Sequence, residues 1–511
     1  MRSIAWKEAW KKYVALRILG CLACAALFLL VVYGVIYHDS DLWHYWMPIS
    51  ITDDEVMYNR QLVGVLAEGQ PHGYFGYNET HAAVGRFSVW GPVLIYLYAL
   101  PGLLVGAGVN TMLWCNVLFA LFGWTVFVVG TRISWKKQLA FAVGLLCLWF
   151  PLRQVYTGMT EVFQYTCILV ILGSAAALQR NFSVKWYLLL VAACAMTTLT
   201  RAYTGLFWLF PILLLWKKRR PWAAASVGLA AASMLGYLAI SKVFCSPYFS
   251  DGGVDYSAAK LVLQGKIGQA VMYEIQYIAK ELSTLWELYV RPTLTGNPQD
   301  QGRAILTTAA LVGVTILCLV LDARKKRAVF CKAMALFCVA ASLALLFSVY
   351  DVGTLHRHCA MLNLLLLAVL VYEERWRTAL HLPVLLVLLP MNFNPGNLPT
   401  YRPDIDEQIQ MVRTALVQDQ ESDRSSDPWD STLAYAYADG VFHGFLYSVP
   451  EGMGIQFDRN TYIADETQPI RSRYAMVNHG TDAEARLLAD GWQELVSTEA
   501  LVVYERPEVQ Q

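Results

Sequence analysis

Several short stretches of this chain combine acids, arginines and histidines in forms that can do chemistry. The first is I-T-D-D-E-V-M-Y, residues 51–58, where Asp53, Asp54 and Glu55 stand just ahead of an amphipathic run. Val56, Leu62, Val63 and Leu66 recur at helical spacing, and Thr52 or Asp53 suits the N-cap. A carboxylate fixed at that helix start can take a proton from an attacking hydroxyl. The same acids also suit the positive end of a helix dipole, and spacing leaves both readings open.

The second stretch is R-Q-V-Y-T-G-M-T-E, with Arg153 and Glu161 bounding a turn between two apolar segments. An ionisable group at mid-bilayer costs about 2.5–3.5 kcal/mol, so function is its default reading, whereas one at the boundary reaches water cheaply. Three arginines complete the set: Arg86 ahead of Trp90-Gly91-Pro92, Arg201 in T-L-T-R-A-Y-T-G, and Arg357 in D-V-G-T-L-H-R-H. Guanidinium groups bind phosphate in two-pronged fashion; each alone is equally a head snorkelling to lipid phosphates. His356 and His358 flank Arg357 and have the chemistry to donate to phosphate or bind metal, though isolated histidines mostly do neither. His72, His81 and the Asn78-Glu79-Thr80 sequon are weaker signals.

The elements that must position these groups follow from composition. The 511 residues are 56% hydrophobic and only 15% charged, with mean hydropathy +0.40; a soluble domain carries about 25% charged residues. Apolar segments lie near 18–37, 89–107, 110–130, 138–152, 162–179, 184–200, 203–216, 222–243, 304–321, 328–349, 360–372 and 379–392. Basic clusters sit at the N-terminus, at Arg132/Lys136/Lys137, Arg180/Lys185, Lys217 to Arg220, Arg324 to Arg327 and Arg375/Arg377. Lys and Arg favour the cytoplasmic side. Twelve crossings would put the clusters after the second segment outside. If 89–107, broken by Gly91-Pro92 and Pro101-Gly102, is juxtamembrane or re-entrant, all clusters share one side. The expectation is therefore a polytopic α-helical plasma-membrane protein of about 11 transmembrane helices, N-terminus cytoplasmic and C-terminus extracytoplasmic.

Residues 1–392 then form the membrane domain, with long outer loops at 38–109 and 244–303. The stretch 257–290 has helical apolar spacing suited to the membrane surface. Residues 393–511 carry 20 Asp and Glu against 8 Arg and no Lys, and read as a small acidic extracytoplasmic α/β domain. Its strands are S-T-L-A-Y-A-Y-A, G-M-G-I-Q-F, Y-A-M-V-N-H and E-A-L-V-V-Y-E-R, with a helix capped by Thr481 and ending near Gly491. A net charge of +1 gives no bulk basicity for nucleic acid. None of the 11 cysteines falls in this tail, which argues against a disulfide framework.

The order and sidedness of these motifs resemble the GT-C superfamily of membrane glycosyltransferases, including protein O-mannosyltransferases and lipid A aminoarabinose transferases. The resemblance covers about residues 15–390. The Asp53-Asp54-Glu55 segment looks like the family's aspartate-glutamate motif, which implies Asp54, accompanied by Glu55, as catalytic carboxylate. The turn ending at Glu161 looks like the second acidic loop. Arg86, Arg201, His356, Arg357 and His358 resemble basic positions near the outer face and are implied binders of donor phosphate. The resemblance implies a polyprenyl-phosphate sugar donor, a glycan, lipid or protein acceptor, and a glycosyltransferase reaction of inverting outcome. Mg²⁺ or Mn²⁺ on Asp54 and Glu161 is an option it leaves open. Two alternatives are a non-catalytic subunit of a polysaccharide assembly or export complex, and a lipid or solute transporter. Polar groups clustered on one side count against the transporter.

Overall fold

The computed structural model describes residues 2–36, 53–69, 75–78, 91–148, 152, 154–244, 255–325, 329–374, 379–392, 403–422, 428–451, 453–458 and 461–507. Arg86, Arg153, His72 and His81 lie outside these residues. Each apolar segment falls on a helix. In chain order they are α1 (Arg2–Ile36), α3 (Gly91–Val105), α4 (Thr111–Thr131), α5 (Trp135–Leu148), α6 (Glu161–Arg180), α7 (Val184–Thr200), α8 (Leu209–Trp216), α9 (Arg220–Phe244), α12 (Asp300–Arg324), α13 (Phe330–Val349), α14 (Leu355–Glu373) and α15 (His381–Asn392). Between them lie α2 (Asp53–Glu68), α10 (Ser257–Leu263) and α11 (Ile267–Thr284), and beyond them α16 (Pro403–Ser422) and α17 (Asp482–Ala489).

Among the described residues six helices are long and apolar enough to cross a membrane, those centred on α4, α6, α9, α12, α13 and α14, and five further apolar helices are shorter. One of the shorter ones is α3, which contains Pro101. The expected surface stretch forms α10, α11 and a π-helical turn at Leu285–Val290, and it leaves Val271, Met272, Ile275, Leu282 and Trp286 exposed.

Helix α6 is the axis of the bundle, buried through its whole apolar length. Its G-S-A-A-A run explains why: small side chains let neighbouring backbones close in. A Cβ on Gly173 would lie 2.6 Å from the Val126 carbonyl of α4, so only glycine fits.

The bundle has two chemically distinct ends. At one, Arg180 donates to the carbonyls of Gly130 and Thr131, Lys137 to Tyr372 O at 2.7 Å, and buried Lys332 pairs with Asp322 at 2.8 Å and Glu373 at 3.2 Å. Lys137 and Arg180, from two of the basic clusters, lie at this end. At the other lie the first residues of α6 and α14 and the last of α7. There the Tyr156 hydroxyl reaches Leu29 O and its ring meets Tyr33, so α1 also runs from the basic end to this one.

The tail folds around a six-stranded mixed sheet in the order β1-β3-β2-β4-β6-β5. Strands β2 (Thr432–Tyr435), β3 (Gly454–Phe457), β4 (Tyr474–Asn478) and β6 (Leu501–Glu505) match the four sequence strands. Thr481 caps α17 by accepting from Glu484 N at 3.3 Å, and Gly491 (φ +79°) follows its end. The sequence reading lacked β5 (Gln493–Ser497), α16 and, above all, β1 (Phe75–Tyr77). That strand comes from the first outer loop and pairs in parallel with β3, Phe75 opposite Ile455. First loop and tail therefore share one sheet.

Candidate active site

Helix α2 forms where the acidic start and the amphipathic run predict it. Tyr58, Leu62 and Val65 enter the core of the membrane helices, and Val56 and Met57 enter the core of the tail. Asp54, in its first turn, faces the end of the bundle where α6, α7 and α14 meet. Arg357 Nη2 lies 2.8 Å from Asp54 Oδ2, and Arg357 Nε lies 3.1 Å from Glu161 Oε1. The same Glu161 oxygen accepts from Arg201 Nη2 at 3.0 Å. Two carboxylates and two guanidinium groups thus form one chain, Asp54–Arg357–Glu161–Arg201, drawn from positions up to 303 residues apart.

The two acids differ in access. The Asp54 side chain is 37% exposed and that of Glu161 is 2% exposed. Glu161 is sealed between opposite charges, as a buried carboxylate must be, while Asp54 stays open to a ligand. His358 continues the chain: its Nδ1 is 2.8 Å from the Tyr203 hydroxyl and 3.5 Å from Arg201 Nη1. His356 lies two residues away in the first turn of α14. Glu55 is buried and points elsewhere, accepting from Gly158 N at 3.3 Å. It ties α2 to the turn that carries Glu161, whereas the sequence reading grouped it with the catalytic acids.

Four contributors escaped the sequence reading. Tyr203 holds His358. Tyr58, one turn after Asp54, is buried; burial pushes its phenol well above the usual range, with the charge of Asp54 adding to this, so it stays a neutral hydroxyl. Asn116 of α4 donates to Thr157 O and Met159 O, both at 2.8 Å, and fixes the acidic turn. Gly158 lets α2 approach that turn, since a Cβ there would sit 3.0 Å from Glu55 O. Only a polar residue inside an apolar run, as Asn116 is, leaves a trace in sequence.

The carboxylates offered to a cation by the sequence hold arginines in this arrangement. Glu161 Oε1 already accepts from two guanidinium groups, Asp54 Oδ2 from one, and Arg357 stands between them. Among the described residues no group of three His, Cys, Asp or Glu side chains is placed to hold a metal ion.

No family model and no curated protein sequence matches this chain. Solved structures do. The oligosaccharyltransferase of Archaeoglobus fulgidus in complex with Zn and sulfate matches with TM-score 0.52 at 12% identity, covering 90% of this chain and 68% of that one. The oligosaccharyltransferase AglB from the same organism, in complex with an inhibitory peptide and a dolichol-phosphate, gives 0.51 at 12% identity over 90% and 69%. ArnT from Cupriavidus metallidurans bound to undecaprenyl phosphate gives 0.44 at 14% identity over 95% and 98%. The likeness to the two archaeal structures is one of fold, and that fold is the GT-C fold.

Proposed function

We propose that this protein transfers a sugar from a polyprenyl-phosphate-linked donor to an acceptor hydroxyl, with Asp54 as general base and Arg357 and Arg201 on the leaving phosphate. The carrying observation is the Asp54–Arg357–Glu161–Arg201 chain at one end of a GT-C bundle, with Asp54 its accessible acid. The dolichol-phosphate held by the archaeal neighbour supports a lipid-phosphate donor.

The geometry suggests how the charges work together. The acceptor oxygen bonds to the anomeric carbon as its proton passes to Asp54. The bond from that carbon to the phosphate oxygen breaks, and its electron pair leaves with the phosphate. Once protonated, Asp54 no longer neutralises Arg357, so that guanidinium is freed for the phosphate as negative charge grows there. Such an interaction, stronger in the transition state than in the ground state, is what accelerates chemistry. A single displacement of this kind inverts the anomeric configuration. Glu161 holds both arginines in place, and Glu55 holds the helix.

Sidedness is part of the proposal. Lys137 and Arg180, from two of the basic clusters, lie at the end of the bundle opposite the charge chain, which supports a site facing outward from a plasma membrane, with the N-terminus cytoplasmic and the tail extracytoplasmic. Arg86 is proposed as a further phosphate ligand.

The test is transfer in cells lacking the protein and complemented with variants, read by mass spectrometry of lipid-linked sugars and surface glycans. Asp54→Asn should lower transfer about 10²–10⁴-fold while binding of undecaprenyl phosphate persists. Arg357→Ala should weaken both. Near wild-type transfer by Asp54→Asn would overturn the assignment.

A further inference from the structure

Helix α2 is an unusual element to bury. Of residues 55–63, Glu55, Asn59, Arg60 and Gln61 are charged or amide-bearing, yet each is at most 5% exposed. Buried polar groups need partners, and those of α2 identify what holds it. Asn59 donates to Gly108 O and accepts from Met112 N, both at 3.0 Å, which fixes the helix to the turn before α4. Arg60 reaches the other way. Its Nη1 donates to Leu446 O at 3.3 Å and to Val449 O, and its Nη2 to Pro450 O at 2.9 Å and Met453 O at 3.0 Å.

Leu446 lies in the tail's short 3-10 helix His443–Ser448, and the other three carbonyls belong to the segment that follows it. The last carbonyls of a helix carry partial negative charge. Leu446 O and Pro450 O already accept from Val449 N at 3.3 Å and Met453 N at 3.1 Å, so Arg60 is a second donor to these two, donates to Val449 O and Met453 O as well, and finds its counter-charge in the four carbonyl dipoles. The nearby carboxylate, Glu451, is engaged by Arg413 at 2.6 and 2.7 Å. One guanidinium therefore pins the helix of Asp54 to the tail, and Val56 and Met57, between the two residues, extend the attachment into the tail's core.

Arg357, Arg201 and Glu161 belong to the membrane bundle, while the far wall of α2 belongs to the tail. Helix α2 is thus held by the bundle on one face and by the tail on the other, and the 2.8 Å contact of Asp54 with Arg357 depends on both attachments. Arg60 lies six residues beyond Asp54 on one rigid helix, about 9 Å along its axis, so a tail that shifts carries Asp54 with it. A displacement of about 1 Å is enough to cost about 10²-fold in rate.

We propose that Arg60 is a positioning residue: through its bonds to the carbonyls of 446–453, the C-terminal domain sets the placement of the α2 helix against the arginines of the bundle. The consequence for catalysis rests on the reading of Asp54 given above; the placement of the helix does not.

The experiment uses the full chain in lipid nanodiscs and three variants, Arg60→Gln, Arg60→Lys and Asp54→Asn. Amide hydrogen exchange is followed peptide by peptide, undecaprenyl phosphate serves as the binding probe, and transfer is read in complemented cells at matched protein level. Arg60→Gln should raise exchange about tenfold or more across 53–68, the expected cost of losing charge-assisted bonds, and leave 161–180 and 355–373 at wild-type rates. It should lower transfer about tenfold or more with undecaprenyl phosphate binding unchanged. Arg60→Lys, which keeps the charge and several donors, should restore most of both. Wild-type exchange in 53–68 for Arg60→Gln would overturn the proposal. So would a rise spread through the bundle that Arg60→Lys does not correct. If Arg60→Gln does not accumulate, Arg60→His, which keeps at most two donors, takes its place: a rise confined to 53–68 supports the proposal, and none overturns it. Asp54→Asn separates the two readings, because it should abolish transfer with exchange unchanged. Transfer by that variant would end the role of Asp54 while the exchange data still decide that of Arg60.

Discussion

Arg357 touches two carboxylates, and their burial gives them different work. Glu161, at 2% exposure, accepts from two guanidinium groups, and neutralising it removes the carboxylate charge that Arg201 bonds to and one of the two that Arg357 bonds to. Glu161→Gln should destabilise the protein by about 3–5 kcal/mol, seen as a lower unfolding temperature in a fluorescence melt. Asp54→Asn removes an accessible pair worth about 0–1 kcal/mol and should leave the melt almost unmoved. A single protein should therefore separate the two acids, one failing in stability and the other in turnover. At this scale the sequence was informative: Asp54, Glu161, Arg201, Arg357 and His358, chosen by type and by nearness to apolar segments, are brought together. Tyr58 and Tyr203 were not legible, because a tyrosine beside an apolar run is an ordinary membrane-interface residue until its neighbours are known.

At the scale of elements, close packing of backbones places the site. Gly173 of α6 meets the Val126 carbonyl of α4, and Gly158 meets the backbone of α2. Gly173→Val should cut the yield of monodisperse folded protein several-fold, because overpacking a tight contact costs about 1–3 kcal/mol or more. Gly313→Ala, whose Cβ would meet nothing within 4 Å, is the control and should express normally. Size-exclusion profiles of both variants make the comparison. Helix positions were readable from hydropathy because a bilayer demands long apolar runs. Which helix sits at the centre was not, since α4, α6 and α13 are all apolar and differ only in what surrounds them.

For the whole molecule, the join between tail and first loop has a pH dependence of known sign. Burial pushes the Glu451 carboxyl up, but the hydrogen bonds and charge of Arg413 outweigh it and hold it below the ordinary glutamate value. A group with a depressed folded pKa contributes stability that is fully present above its unfolded value and is lost as pH falls through the folded one. Amide exchange in 403–422 and 446–458 should accordingly hold steady, relative to intrinsic rates, down to about pH 5 and speed up as pH falls below the ordinary carboxylate value. Glu451→Gln should flatten that change.

The amino-acid sequence by itself determined the membrane character, the helices, the four central strands and the principal charged residues of the site. Those follow from local composition and period, which each segment carries alone. Only the tertiary structure decided that the first loop and the tail share a sheet through a three-residue strand, that Glu55 anchors while Asp54 stays open, and that Arg60 ties the two bodies together. Each depends on a partner distant in sequence, Phe75 with Ile455, Glu55 with Gly158, Arg60 with Pro450. A strand of three residues has no periodicity to read, and a buried charge shows its purpose only once the groups that neutralise it are in place.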